Sequence, residues 1–464
     1  MRNTWTHPVF RPLLFLALLV LTMHALKSQW HRLGSPKGKA PYNPDQGDEK
    51  RLVVGHFMLG NTYPFTADDW QATFDLAEDT LLDAIVLNIG PEHWQLTQAQ
   101  LAYELASSRR IKLLLSLDVN VLPHSPDELS SRVVTTINAG RASQLLWDDK
   151  PVLSTFSGHE FGDDNWVETL RLISRGLEQQ VMFWPAFFIP PSDFMAKLYV
   201  DGTFAWNSGW AMDSTSMNLK EDQPFLKGDK PYMAAISPLF FTHYGTEGDW
   251  AWNKNWIYPS DNLLLPNRFL NFISPHAHTP TPQIIQLISL NDYGESHYLF
   301  PVRGAQPGSS AWTEGMDHEG FRIMCKYFIG RWKNGMSEIE ELEDGHEGKV
   351  VIWYRTKPKD GVYDDAVGRP DRAEWAEDLI NLFILLPSHS AHYTLHLTNG
   401  PADHTRSLKS GRLNLLTLPF IPGNVHYSIT KKEGSAERVI LEGDGKEITE
   451  GGAWNFNMWS GSVY

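Results

Sequence analysis

From residue 51 the chain repeats one pattern: a short apolar run, a polar turn, then a stretch whose apolar positions recur at helical spacing. Leu52 to Met58 reads as a first strand. Thr66-Ala-Asp-Asp-Trp70 reads as a helix start, with a threonine placed to accept a backbone N–H at the cap. Ala84 to Ile89 is a second strand, with a helix near Thr97 to Ser107. Ile111 to Leu117 is a third, with a helix near Asp127 to Leu145, and Pro151 to Phe156 a fourth, with a helix near Trp166 to Gln179. Val181 to Phe188, Thr203 to Trp206, Tyr232 to Ile236 and Gln283 to Leu290 are the fifth to eighth, and a helix from about Glu319 to Trp332 closes the series. Strands alternating with helices in this way predict an α/β fold, a (β/α)8 TIM-type barrel over residues 51–335.

After about Gly335 the texture changes. Val350 to Arg355, Ala391 to Leu397, Arg412 to Leu418, Val425 to Thr430 and Arg438 to Glu442 are strand-like runs set apart by Gly, Pro, Asn and Asp. They predict a C-terminal antiparallel β-sandwich over residues 336–464, with helical content confined mainly to Ala373 to Leu385. Before the barrel, Arg2 and Arg11 precede the apolar run Leu13 to Leu21, whose character continues to about Leu26. Residues 1–30 therefore resemble a signal peptide or signal anchor, with an apolar run shorter than the ~20 residues a membrane span wants. His24, Leu26 and Lys27 spoil a clean small-x-small cleavage site, so an uncleaved membrane anchor and a cleaved peptide both stay open. Residues 31–50 read as a linker, and the expected location is extracellular or the cell wall.

Composition narrows the partners. The net charge of −15 argues against nucleic acid, whose phosphates call for basic patches, and suits a neutral polymer better. The 18 Trp, 15 Tyr and 23 Phe offer faces on which sugar rings stack, although such residues also build large cores. Cys325 stands alone in an apolar helical run, so neither an intramolecular disulfide nor a cysteine metal cluster is expected. His159-Glu160 has no second histidine at the i+4 spacing of a zinc helix, and neither metal nor cofactor is expected.

In a (β/α)8 barrel the working face lies at the C-terminal strand ends. Those ends carry His56 and Asn61, Asn88, Asp118 and Asn120, His159 and Glu160, Trp184 and Phe187, Trp206 and Asn207, then Asp292 and Glu295. Asp118 serves equally as a turn residue, and His56 as a hydrogen-bonded core histidine. Asp83 precedes the second strand, at the end that usually serves stability. The run from Asn291 to Tyr298 is the most suggestive, because Gly294 allows a sharp turn that sets Asp292 and Glu295 facing one space, with Tyr293 and His297 beside them. Paired carboxylates beside aromatics are what glycosidic bond hydrolysis needs, an acid for the leaving oxygen and a base or nucleophile. A polar loop whose carboxylates cap a turn is the plainer alternative.

Gly55-His-Phe-Met-Leu-Gly-Asn-Thr-Tyr63, Leu82-Asp-Ala-Ile-Val-Leu-Asn-Ile-Gly90, Lys254-Asn-Trp-Ile-Tyr258 and Asn291-Asp-Tyr-Gly-Glu-Ser-His-Tyr298 resemble the blocks of glycoside hydrolase family 71, the fungal endo-α-1,3-glucanases or mutanases. The resemblance runs in order from about residue 51 to 335. It implies hydrolysis of α-1,3-glucan with inversion, carried by Asp292 and Glu295, and it matches Asp83 to a family aspartate tied to activity. Leu290 departs from it, standing where members often carry Trp, which bears on subsite shape. Inversion calls for carboxyl groups roughly 6.5–9.5 Å apart. Glu295, flanked by aromatics that would raise its pKa, is then expected as acid and Asp292 as base, with the reverse open. His56, Asn88, Asp118, His159, Glu160, Trp184, Trp206, Asn207, Tyr293 and His297 are the expected sugar-binding residues. A non-catalytic carbohydrate-binding or scaffold protein, and a barrel hydrolase acting on another α-glucan, remain the competing readings.

Overall fold

The structure is a computed structural model and describes residues 51–212, 217–273, 280–334, 342, 346–387 and 391–464. The expected signal or anchor segment and linker lie outside those residues, as does the expected boundary at Gly335. Among the described residues no helix is long and apolar enough to cross a membrane.

Eight parallel strands form the main sheet: β1 Leu52–Met58, β2 Ala84–Ile89, β3 Lys112–Asp118, β4 Lys150–Phe156, β5 Met182–Phe183, β6 Thr203–Ala205, β7 Tyr232–Ile236 and β8 Ile284–Leu287. Each is followed by a helix: α1 Ala67–Asp79, α2 His93–Ala106, α3 Pro126–Ala139, α4 Asp163–Leu177, α5 Pro191–Met195, α6 Gln223–Leu226, α7 Leu264–Ile273 and α8 Glu319–Asn334. The strands are nearly unbroken apolar runs because both sheet faces are covered. Local signals set the helix starts: Thr66 and Asp69 form a reciprocal capping box on α1, and Ser125 caps α3 just before Pro126.

The ladder runs β5–β4–β3–β2–β1–β8–β7–β6. This is barrel order, but the curled sheet is not closed by a ladder between β5 and β6. Isolated bonds span that gap, from the Asp201 and Gly202 N–H groups to Phe183 O and from Phe204 N to Pro185 O. The sheet is thus curled and eight-stranded, without a ladder that closes the expected full barrel. Pro185, just after β5, has no N–H to donate to a ladder on the β6 side.

The C-terminal region holds two four-stranded antiparallel sheets. One pairs Leu413–Pro419, Leu379–Leu385, Lys349–Arg355 and Met458–Val463; the other pairs Ala402–Leu408, His392–Asn399, Val425–Glu433 and Ala436–Asp444. Ile352, Leu382, Leu395 and Tyr427 pack between them. The helix expected over residues 373–385 is instead a 3-10 turn, Ala373–Trp375, followed by a buried strand. Trp353 and Phe383 on the other face of the first sheet meet Phe321 and Phe328 of α8.

An antiparallel hairpin, Phe240–Tyr244 with Lys254–Tyr258, rises between β7 and α7. The C-terminal region grips it from behind. His243 Nε2 lies 2.8 Å from Asp365 Oδ2 and its Nδ1 2.8 Å from Asn255 Oδ1. Asn255 Nδ2 donates to Gly368 O at 3.2 Å, and the backbones of Asn255 and Ile257 exchange hydrogen bonds with Asp371.

Candidate active site

Beyond β8 the chain crosses to the end of β1 and is fastened there. Leu290 N donates to His56 O at 2.7 Å. The Asn291 side chain accepts from Met58 N at 2.7 Å and donates to Met58 O at 3.0 Å, while Asn61 Nδ2 donates to Asn291 O at 2.9 Å. Asn291 therefore pairs with β1 much as a strand residue does, which fixes where Asp292 begins. Asp292 N donates to Ser289 Oγ (2.8 Å), and Asp292 Oδ1 accepts the Glu295 N–H (3.1 Å). Glu295 O then accepts from Phe241 N of the hairpin at 3.2 Å. Gly294 does not use the left-handed backbone expected of a sharp turn; that conformation falls to Ser296, at φ 62°. Glycine is needed at 294 because a Cβ there would meet the Tyr244 hydroxyl at 2.6 Å.

The two carboxylates sit in unlike surroundings. His297, wholly buried, reaches Glu295 Oε2 with Nε2 at 3.2 Å and Ser289 Oγ with Nδ1 at 3.0 Å. An imidazole that donates from Nε2 to the carboxylate favours a charged Glu295. Lys254 Nζ stands 3.5 Å from Glu295 Oε1. Burial works to raise the Glu295 pKa, but the His297 hydrogen bond and the His297 and Lys254 charges outweigh it and hold the group below its ordinary value. Asp292 goes the other way, pushed up to about 6 by burial, with the Glu295 charge adding to it. This overturns the expectation that Glu295 would be the raised group: its aromatic neighbours do not shield it from two positive or donating partners.

One Asp292 oxygen, one Glu295 oxygen and one His297 nitrogen lie within 4.8 Å of one another. Those two oxygens are closer than the spacing expected between the carboxyl groups of an inverting pair. The set is compact enough for a metal ion, yet His297 engages both ring nitrogens with Ser289 and Glu295.

A cleft of about 720 Å³ opens above the pair. His56, Asn88, Asp118 and Trp206 line it, as the sequence suggested. His56 is buried beside the edge of Trp206 (4.8 Å between ring centroids) and accepts at Nδ1 from Gln286 Nε2 at 3.1 Å, leaving the proton on Nε2. Burial, then the neighbouring His297 charge, pushes it down to about 3, so it is neutral. Burial raises Asp118 despite the N–H of Asn120. The Asn88 Oδ1 is buried with no partner, although its Nδ2 lies 3.5 Å from Asp118 Oδ2.

Other expected residues fall elsewhere. Trp184 is fully buried inside the sheet, its Nε1 bonded to Thr203 O, with Gly202 so close that a Cβ there would strike the indole. Tyr293 turns inward, 1% exposed, its hydroxyl on Arg303 O (3.0 Å). His297 backs Glu295 instead of lining the cleft. His159, Glu160 and Asn207 stand on 3-10 turns after β4 and β6, outside the lining. Asp83 lies at the N-terminal end of β2, paired with Lys333 Nζ at 2.6 Å and accepting Val53 N at 2.7 Å, so it does not join the pair. Leu290 is buried over Gly55 and does not shape a subsite.

Sequence reasoning missed Lys254, Tyr244, Trp250 and Trp252, all from the hairpin, and Trp94 after β2. The exposed pair Trp250 and Trp252, two apart among Gly, Asp and Asn, was the available signal.

The description of the matching family model is glycosyl hydrolase family 71, and it covers residues 49–464. A glucan endo-1,3-alpha-glucosidase of Schizosaccharomyces pombe is 29% identical over 441 residues, 89% of this chain and 95% of that protein. A mutanase of Penicillium rubens is 28% identical over 440 residues, 89% of each. Among solved structures, an endo-alpha-mannosidase of family GH99 from Bacteroides thetaiotaomicron aligns with a TM-score of 0.46 at 11% identity, over 62% of this chain and 98% of that one.

Proposed function

The chain belongs to glycosyl hydrolase family 71, and on that premise we propose that it hydrolyses α-1,3-glucosidic bonds within a glucan chain, with Asp292 as general acid and Glu295 as the partner carboxylate. The observation that carries the reading is the asymmetry of the pair at the floor of the cleft. Asp292, pushed up to about 6, keeps its proton in mildly acidic solution and stands ready to deliver it to the glycosidic oxygen. Glu295, held charged by His297 and Lys254, takes a proton from the water that attacks the anomeric carbon. His56 Nε2–H, Asn88 Oδ1 and Asp118 offer one donor and two acceptors to sugar hydroxyls. The 29% and 28% identical relatives, named for endo-1,3-alpha-glucan cleavage and as a mutanase, support the linkage. We further infer a (β/α)8-type architecture from the strand order, and entry into the secretory pathway through residues 13–26, which carbonate-washed membrane and medium fractions would test.

Inversion entails that Asp292 and Glu295 part as the substrate enters, to admit water. One oxygen of each lying within 4.8 Å of the other favours a second reading, retention, with Glu295 as nucleophile and Asp292 as acid and then base. Purified protein should release reducing ends from insoluble α-1,3-glucan and not from α-1,4-glucan; the opposite preference would sink the substrate. Proton NMR of the first product formed decides the stereochemistry: the β-anomer means inversion, the α-anomer retention.

A further inference from the structure

The hairpin strand Lys254–Tyr258 begins at the cleft, and its first residue touches the reacting pair. Lys254 Nζ lies 3.5 Å from Glu295 Oε1, and 5.8 Å above the centroid of the Trp252 ring. Its side chain is 43% exposed, so the ammonium lies at the rim while its charge acts inward. His297 holds the other Glu295 oxygen at 3.2 Å. Each Glu295 oxygen thus has its own partner. Asp292 is met instead by the Glu295 N–H of its own turn. The geometry points to Lys254 as the positioning residue that decides which carboxylate carries the proton: its ammonium fixes the charge on Glu295 and thereby leaves the shared proton on Asp292.

This rests on the reading of Asp292 and Glu295 as the reacting pair and goes beyond it. A pair of carboxylates this close shares one proton, and its location is set by whatever breaks the symmetry between them. The groups facing Glu295 are Asp292 and His297 from its own loop, His56 from β1, Asp118 from the end of β3, and Tyr244 and Lys254 from the hairpin. His56 is neutral, Asp118 and Asp292 repel charge on Glu295, and Tyr244 is an un-ionised phenol whose pKa burial raises. His297 bonds one Glu295 oxygen, and the Lys254 ammonium faces the other. Its contact with Trp252 anchors it from the cleft side, so the indole orients the ammonium toward Glu295.

The test uses the full chain, as wild type, Lys254→Met and Lys254→Arg. The pH profile of kcat/KM is measured on soluble α-1,3-linked gluco-oligosaccharides, and Glu295 is followed directly by its carboxyl carbon shift in glutamate-labelled protein. Removing the cation lets the Glu295 pKa rise, so the acidic limb in Lys254→Met should move up by roughly one pH unit, the lower end of what an opposite charge at this range contributes. The Asp292 limb should move less, because the ammonium touches Glu295, and the bell narrows. Lys254→Arg should keep the wild-type limb. The Glu295 carboxyl midpoint should move in step. A uniform loss of rate with both limbs unmoved, or an arginine variant that behaves like the methionine variant, would overturn the assignment. An unmoved carboxyl midpoint would overturn it even without turnover. If the midpoint moves while wild type leaves α-1,3-linked substrates intact, it is the substrate reading that fails.

Discussion

The two ends of the parallel sheet treat the same kind of side chain in opposite ways. At the N-terminal end Asp83 is 2.6 Å from Lys333 Nζ and accepts Val53 N at 2.7 Å, so its charge is answered by a cation and a backbone donor. At the C-terminal end Asp292 is half-buried beside another carboxylate, and its pKa is driven up to about 6. The six residues of β2, from Ala84 to Ile89, separate these two levels by about 20 Å of strand. An aspartate beside the strand start ties the sheet to α8; an aspartate beyond the strand end is held in readiness for proton transfer. Burial and partners, and not residue type, decide which role each has.

The largest expected effect sharpens this contrast. Asp292→Asn and Glu295→Gln should each lower kcat on α-1,3-glucan by about 10²–10⁴-fold, the usual worth of a positioned acid or base, with melting temperature within a few degrees of wild type. Near-normal turnover by both would remove the C-terminal end from the chemistry. Next comes Asp83→Ala, which leaves the Lys333 ammonium, 10% exposed, with the Leu81 carbonyl but without its charge partner. Urea denaturation should show a loss of about 2–3 kcal/mol, while kcat per folded molecule stays within a few-fold. The comparison breaks if Asp83→Ala abolishes turnover without lowering stability, for then the aspartate at the far end acts in the reaction.

Trp252→Ala probes the rim. One open indole face, 47% exposed, is worth about 0.5–1.5 kcal/mol to a stacked ring, so KM for long glucan should rise by about 3–10-fold with kcat little changed. A kcat loss without a KM change would mean that the indole acts through Lys254 instead. The smallest effect is on stability. Asp292 binds its proton up to about pH 6 in the folded state and loses it near its ordinary value of 3.8 when unfolded. The folded protein therefore holds the extra proton between these values, and stability falls as pH rises through that window. Asp292→Asn removes the penalty and should raise the melting temperature at pH 7 by about 2–4 °C, measured by calorimetry. No gain would mean that Asp292 is not held up in pKa.

Much of the scaffold was legible because strands covered on both faces are apolar throughout. β1, β2 and β7 fall where Leu52 to Met58, Ala84 to Ile89 and Tyr232 to Ile236 were read. The same property misled at Leu379–Leu385: a strand buried on both sides lacks a two-residue alternation, so its apolar run was read as helix. Strand-end logic found His56, Asn88, Asp118, Trp206 and the carboxylate pair, since position along a strand predicts height in the sheet. It failed for Trp184 and Tyr293, where height was right but direction was not; the close approach allowed by Gly202 folds one ring into the core, and Arg303 draws the other inward. Lys254 escaped because its relation to Glu295 depends on the pairing of Lys254–Tyr258 with Phe240–Tyr244 and on docking through Phe241 N, and neither leaves a local periodicity.

The grip on the hairpin has a consequence for how divisible the molecule is. The hairpin that delivers Lys254 is braced by Asp365, Gly368 and Asp371, far along the chain, through contacts of 2.8 to 3.2 Å. A chain cut after residue 334 would keep both carboxylates and every strand of the parallel sheet, yet release the arm that polarises them. The C-terminal sheets are therefore no detachable accessory that recombination could swap for another. Efforts to miniaturise the protein should retain residues 365–371 with the hairpin, or replace their hold.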